Sequence, residues 1–136
     1  MGKGRVQYGA LPWRLGPSGL EVLMITTRTT RRWIIPKGWP MEGRAPHEAA
    51  AQEAWEEAGV RGEVSTRAAG AFDYDKLKTF GRVKRIRVEV FPLEVVEEAA
   101  VWPEAAQRER RWFAQAEAAE VAGEPELAPL LAAFTR

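Results

Sequence analysis

The hydrophobic positions change period along the chain, and each period predicts an element. Residues 20–27, LEVLMITT, form a nearly unbroken apolar run that suits a buried central strand, with Val22, Leu23, Met24 and Ile25 as core. Upstream, RVQYGALPWRL at 5–15 predicts a first strand interrupted near Gly9 and Pro12, and GPSG at 16–19 supplies the turn between the two. Over 85–90 the pattern alternates, placing Ile86, Val88 and Val90 on one face and Arg85, Arg87 and Glu89 on the other, after a turn near Gly81. Residues 46–59 follow a helical rule instead. Pro46 suits the first turn, Gly59 suits the stop, and Ala49, Ala50, Ala51, Ala54 and Ala58 leave a slim surface able to approach a sheet. A further strand is expected around RRWFA, with Trp112 and Phe113 as packing residues, then helices at 114–121 and 126–134 covering one sheet face.

Composition narrows the class. A length of 136 residues suits one domain with a real core, and the 46% hydrophobic and 29% charged content is that of an ordinary globule. Zero cysteines exclude disulfides, thiolate metal sites and a cysteine nucleophile. The start, MGKGRVQYGA, has no long apolar run, and no stretch reaches a membrane span, so a cytoplasmic protein without a membrane partner is expected.

The helix carries the candidate chemistry. At about 100° per residue Glu57 lies about 40° to one side of Glu53 and Glu56 about 60° to the other, so the three carboxylates share one broad face. Like charges within one turn destabilise a helix unless something positive sits among them. A hard divalent ion fits, since Mg²⁺ takes a few carboxylate oxygens and leaves positions for water and phosphate.

Residues 38–60, GWPMEGRAPHEAAAQEAWEEAGV, resemble the signature of the Nudix hydrolases, GX5EX7REUXEEXGU with U apolar. Gly38, Glu53, Ala54, Glu56, Glu57, Gly59 and Val60 match it; Arg44 stands at its first glutamate and Gln52 at its arginine. An arginine at 52 would face like charge from Arg44 whereas glutamine does not, so the two departures read as a paired swap. The resemblance implies an α/β (α+β) fold, a Nudix-type α/β/α sandwich with a central mixed sheet, in a single domain over 1–136. It also implies hydrolysis of diphosphate bonds with Mg²⁺, or Mn²⁺, on Glu53, Glu56 and Glu57. Gly38 would sit against the ligand, and a further acidic residue would complete the site, with Glu98 the first choice and Glu97 and Glu89 behind it.

Charge placement points to the substrate class. Net charge is +1, yet ten basic residues fall within 28–37 and 76–87. Arg28, Arg31, Arg32 and Lys37 precede the signature, and Lys84, Arg85 and Arg87, with Lys76 and Lys78, are expected to form a polar wall. Such groups give charge-assisted donors to phosphate. The stretches WIIPKGWPMEG, EAWEEAGV, FPLEV and RERRWF resemble the Nudix branch acting on diphosphoinositol polyphosphates and dinucleoside polyphosphates, which fits this excess of cations. The competing reading is a catalytically weak Nudix-like binding or regulatory module, motivated by Arg44 and Gln52. Nucleic acid is not expected as a partner, because the basic run lacks a groove-reading helix or aromatic platform. His47, the single histidine, has no carboxylate at catalytic spacing and is read as structural.

Overall fold

The computed structural model describes residues 4–136. Its elements are β1 (Val6–Gly16), β2 (Gly19–Thr26), β3 (Trp33–Ile34), β4 (Lys37–Gly38), α1 (Pro46–Glu53), β5 (Val60–Val64), β6 (Gly70–Leu77), β7 (Val83–Glu98), β8 (Arg110–Ala114), α2 (Gln115–Val121) and α3 (Leu127–Ala133). Among the described residues the eight strands join in one mixed sheet. β7 is its spine: it runs parallel to β1 along one edge, while β5 and β6 pair antiparallel with successive parts of the other. β2 adds to β1 and carries β3 and β8.

The first strand is continuous, not interrupted at Gly9 and Pro12. Gly9 marks a close approach: a Cβ there would come within 3.0 Å of Val88 Cγ1 and 3.2 Å of the Pro36 carbonyl oxygen. Pro12 falls where the outer edge of β1 passes from β4, opposite Tyr8 and Gly9, to β2, which begins opposite Trp13. Ala10 sends its N–H outward to the Pro36 carbonyl at 3.0 Å, and Pro12, two residues on, faces that same side. The missing N–H of proline therefore lies in the handover gap, where no ladder bond is lost.

The alternation expected in 85–90 holds, with Ile86, Val88 and Val90 fully buried. β7 then continues to Glu98, so Glu97 and Glu98 lie within the strand, opposite Arg61 and Val60, and not in a loop beyond it. The two sheet faces carry separate cores. Leu11, Val22, Met24, Ile86 and Val88 pack under α2 and α3, whose Ala118, Leu127 and Leu131 are fully buried. Leu23, Ile25, Phe91 and Leu93 pack under Ala50, Ala54 and Ala58. The alternate residues of β2 thus serve opposite layers, which is why its apolar run is unbroken. Helices on both faces of a mixed sheet make the expected α/β/α sandwich.

Candidate active site

The site is assembled on α1 and the strand that enters it. Pro46 occupies the first turn, and the Glu48 carboxylate reaches back to accept the Ala45 N–H at 2.8 Å, satisfying a donor the helix would leave open. The helix widens into a π turn over Ala54–Ala58 and stops at Gly59, whose φ of 69° is left-handed. Gly38, in β4, makes room for the first carboxylate: a Cβ at this position would collide with the Glu53 carboxylate group.

The three signature carboxylates divide into a pair and a single. Glu53 and Glu57 line a cleft of ≈ 830 Å³ bounded by β4, the 27–32 loop and β6. Glu56 does not line this cleft, and its Oε2 accepts the Gln52 amide at 2.6 Å. Burial, then the negative charges of Glu57 and Glu56, push the Glu53 carboxyl up to about 8, helped by a hydrogen bond between Glu53 and Glu57. Burial raises Glu57 as well, against the opposing pull of Arg108 and Lys37. Glu57 is only 8% exposed, so it is no member of a solvated acidic face. One of its oxygens accepts the Lys37 backbone N–H at 3.2 Å and the other pairs with Arg108 at 3.5 Å.

Among the described residues no three acidic or histidine side chains converge closely enough to hold an ion. The donor chemistry nevertheless fits a hard divalent cation. Two carboxylates held close together and away from water oppose each other's charge, which raises both, and a cation relieves that repulsion.

Cations line the same cleft, together with the carboxylates Asp75 and Glu124, the latter paired with Arg32 at 3.2 Å. Arg28, Arg32, Lys37 and Gly38, all expected from the sequence, line the cleft, and Lys76 joins them. Lys37 places its ammonium 4.5 Å from the centre of the Tyr74 ring, and burial lowers its pKa. Tyr74, pushed up to about 12 by burial, donates its hydroxyl to the buried Gln7 side chain at 2.8 Å.

Other expected residues lie elsewhere. Arg31 bonds the Gln107 carbonyl at 3.0 Å and pairs with Glu109 at 3.7 Å outside the cleft lining. Arg85 is engaged by Asp73, Asp75 and Glu126, and exposed Arg87 does not line the cleft. Lys84 approaches the Trp39 ring at 5.5 Å without lining the cleft itself. Glu98 pairs with Arg14 at 3.5 Å, and Glu89 lies opposite Ala71 in the sheet.

Two residues that sequence reasoning missed sit beside the carboxylates. Arg108, its side chain 7% exposed, bridges Glu57 to Glu104, holding the latter at 2.7 Å, and donates to the Thr26 carbonyl at 3.0 Å. Glu104 in turn raises both Glu53 and Glu57. Their signal was the four-residue spacing from Glu104 to Arg108. Trp112 and Phe113 are packing residues: Phe113 is buried edge-on to Trp33, and Trp112 lies under the Arg14 guanidinium.

Comparison with known proteins agrees with this geometry. The NUDIX domain model matches residues 10–134. Nudix hydrolase 13, mitochondrial, of Arabidopsis thaliana is 35% identical, covering 86% of this chain and 66% of that protein. Diphosphoinositol polyphosphate phosphohydrolase 3-alpha of Mus musculus is 34% identical, covering 68% of this chain and 54% of that one. The fold is shared with a C. elegans Ap4A hydrolase in a binary complex, at a TM-score of 0.68 and 19% identity over 94% of this chain and 93% of that one. The chain thus spans just under two thirds of the length of the first of these relatives. Six Arabidopsis thaliana relatives at 32–36% identity correct the expectation of a cytoplasmic protein: five are named mitochondrial and one chloroplastic. The physical reason is that organelle-targeting segments are amphipathic and basic, so the want of a long apolar run does not argue for the cytoplasm. With a signature helix built on this sheet, and a family match over 10–134, the chain belongs to the Nudix family.

Proposed function

We propose that this chain is a metal-dependent hydrolase of diphosphate bonds in highly phosphorylated small molecules, of the dinucleoside polyphosphate or diphosphoinositol polyphosphate class. The observation that carries the reading is the Glu53–Glu57 pair in a cleft also lined by Arg28, Arg32, Lys37 and Lys76. Glu53 and Glu57 would hold Mg²⁺ or Mn²⁺ from within the cleft, and Glu56, which does not line it, would have to turn toward them to join; the ion supplies neutralisation of phosphate oxygens and a bound water of lowered pKa. Arg28, Arg32 and Lys76 would orient the non-reacting phosphates, an effect on positioning more than on bond cleavage. Gly38 would let β4 approach both Glu53 and the substrate. Glu104 takes the part that resemblance gave to Glu98, because it shares Arg108 with Glu57 and its charge reaches both cleft carboxylates. A relative named for diphosphoinositol polyphosphates, 34% identical, supports the substrate class.

The test is product release from diadenosine polyphosphates, diphosphoinositol polyphosphates, nucleoside triphosphates and nucleotide sugars, with Mg²⁺, with Mn²⁺ and with chelator. Cleavage of one polyphosphate class, abolished by chelator and lowered about 100-fold or more in Glu57→Gln, is expected. A folded chain that binds metal and turns over none of the panel would instead make it a binding module.

A further inference from the structure

Glu53 and Glu57 share the cleft and Glu56 does not, a division that a regular helix leaves unexplained. We propose that the π turn makes this division, and that Trp102 and Arg110 are the positioning residues that hold the turn. The inference rests on reading the cleft as a metal-dependent site.

On an α-helix Glu57 overshoots Glu53 by about 40° and Glu56 falls short of it by about 60°, so the two stand at comparable angles. Residues Ala54–Ala58 form a π turn instead, in which more residues fill each turn and each one rotates by less. The overshoot of Glu57 shrinks and the shortfall of Glu56 grows. Glu57 is thereby brought round toward Glu53, and Glu56 is carried away from both. The regular alternative stays within reach, because the Gly59 N–H is shared between the Trp55 carbonyl, its α-helical partner, and that of Ala54, its π-helical one. A turn this close to relaxing needs contacts from outside the helix to keep it wide.

The last carbonyls of a helix have no partner within it. Here those of four successive residues accept from the segment that leaves β7 and enters β8. The Glu56 carbonyl accepts the Glu104 N–H at 3.1 Å, Glu57 the Trp102 indole N–H at 3.1 Å, Ala58 the Arg110 guanidinium at 3.0 Å and Gly59 the Ala99 N–H at 2.8 Å. Trp102 and Arg110 act together: the guanidinium lies 4.0 Å from the centre of the indole ring, and its Nη2 donates to the Ala99 carbonyl at 2.6 Å, tying the clasp to the end of β7. These donors fix the peptide planes of 56–59, and with them the rotation of Glu57. The same segment also meets the Glu57 carboxylate, through Arg108 at 3.5 Å. Neither Trp102 nor Arg110 lines the cleft, so their effect on chemistry passes through Glu57.

The experiment measures Mn²⁺ affinity by calorimetry and steady-state hydrolysis of diadenosine tetraphosphate, well below each melting temperature, for wild type, Trp102→Phe, Arg110→Ala, Arg110→Lys, Glu57→Gln and Trp102→Phe combined with Glu57→Gln. Phenylalanine at 102 keeps a ring beneath Arg110 and removes only the N–H. Leu130→Ala, which trims a half-buried contact of α3 on the opposite sheet face, controls for lost stability alone. Trp102→Phe is expected to weaken Mn²⁺ binding and lower kcat about fivefold, and Arg110→Ala about tenfold, while KM stays within about twofold. Arg110→Lys should recover part of the loss, and Leu130→Ala should melt earlier with both readouts unchanged. The combined variant should be no worse than Glu57→Gln, because both changes act on one carboxylate. Wild-type Mn²⁺ affinity in Trp102→Phe, an equal loss of affinity in Leu130→Ala, or losses that add in the combined variant overturns the inference. Where Arg110→Ala fails to fold, Trp102→Phe and Arg110→Lys decide it. Mn²⁺ binding that depends on Trp102 in a chain that cleaves no substrate leaves the clasp standing and sinks the hydrolase reading. Wild-type turnover with Mn²⁺ binding indifferent to Trp102 does the reverse, and a wild type that takes up no Mn²⁺ sinks both.

Discussion

Glu53 holds its proton in the folded chain to about pH 8, because burial and two neighbouring carboxylates oppose its charge. In the unfolded chain it releases that proton near the ordinary glutamate value of about 4.3. Between those limits the folded state binds more protons than the unfolded one, so the stability Glu53 contributes is full below the lower value and is lost as pH rises through the upper. The melting temperature of chelator-treated protein should therefore fall between about pH 5 and 8.5, and fall less in Glu53→Gln. Lys37, lowered by burial, works in the opposite sense and is present in both proteins, while Glu57 is raised like Glu53 and interacts with it, so the difference between them reads the Glu53–Glu57 pair. Equal falls in the two would contradict the assignment. The spacing of Glu53 and Glu57 made them legible in the sequence. The burial of Glu57 was not, because it depends on Arg108 and on the Lys37 backbone, groups distant in the chain that only the fold brings near.

Helix α1, its π turn and the glycines at either side act as one element, and two substitutions separate their tasks. Gly59 ends the helix in a left-handed conformation, and a Cβ there would come within 2.7 Å of Trp102 and Arg110. Gly59→Ala is expected to cost about 1–3 kcal/mol in urea denaturation, since it adds backbone strain to this crowding. Gly38→Ala differs, because the group in the way is the movable end of Glu53. It should melt within a few degrees of wild type yet lose turnover as that carboxylate is displaced, and normal kcat would show that Gly38 does not set the position of Glu53. Glycine and proline punctuation located this helix in advance. The same punctuation misled in β1, where Gly9 and Pro12 look like breaks. They are tolerated because one sits at a close strand approach and the other between two pairing partners, and neither partner is visible from local sequence. The charged wall expected on β7 fails for a related reason: alternation gives the face of Arg85 but not the Asp73, Asp75 and Glu126 groups that meet it there.

At the scale of the molecule, layer order followed from pattern: a doubly buried β2, a slim alanine helix on one side and two short helices on the other. Pairing order did not, since hydrophobic periodicity says which face is buried and not which strand lies beside which. The pairing that matters most is between β1 and β7, which matches Val6 with Arg87 and Trp13 with Glu94 across about 80 residues of chain. It follows that the site cannot mature in the order it is written. When a ribosome has released residues 1–82, the whole signature helix is available, but the strand that completes the sheet beneath it has yet to be made. That fragment should remain unfolded by circular dichroism and resist neither protease nor heat, whereas a chain reaching residue 114 has every strand of the sheet. The signature is thus an early part of the message and a late part of the folded protein.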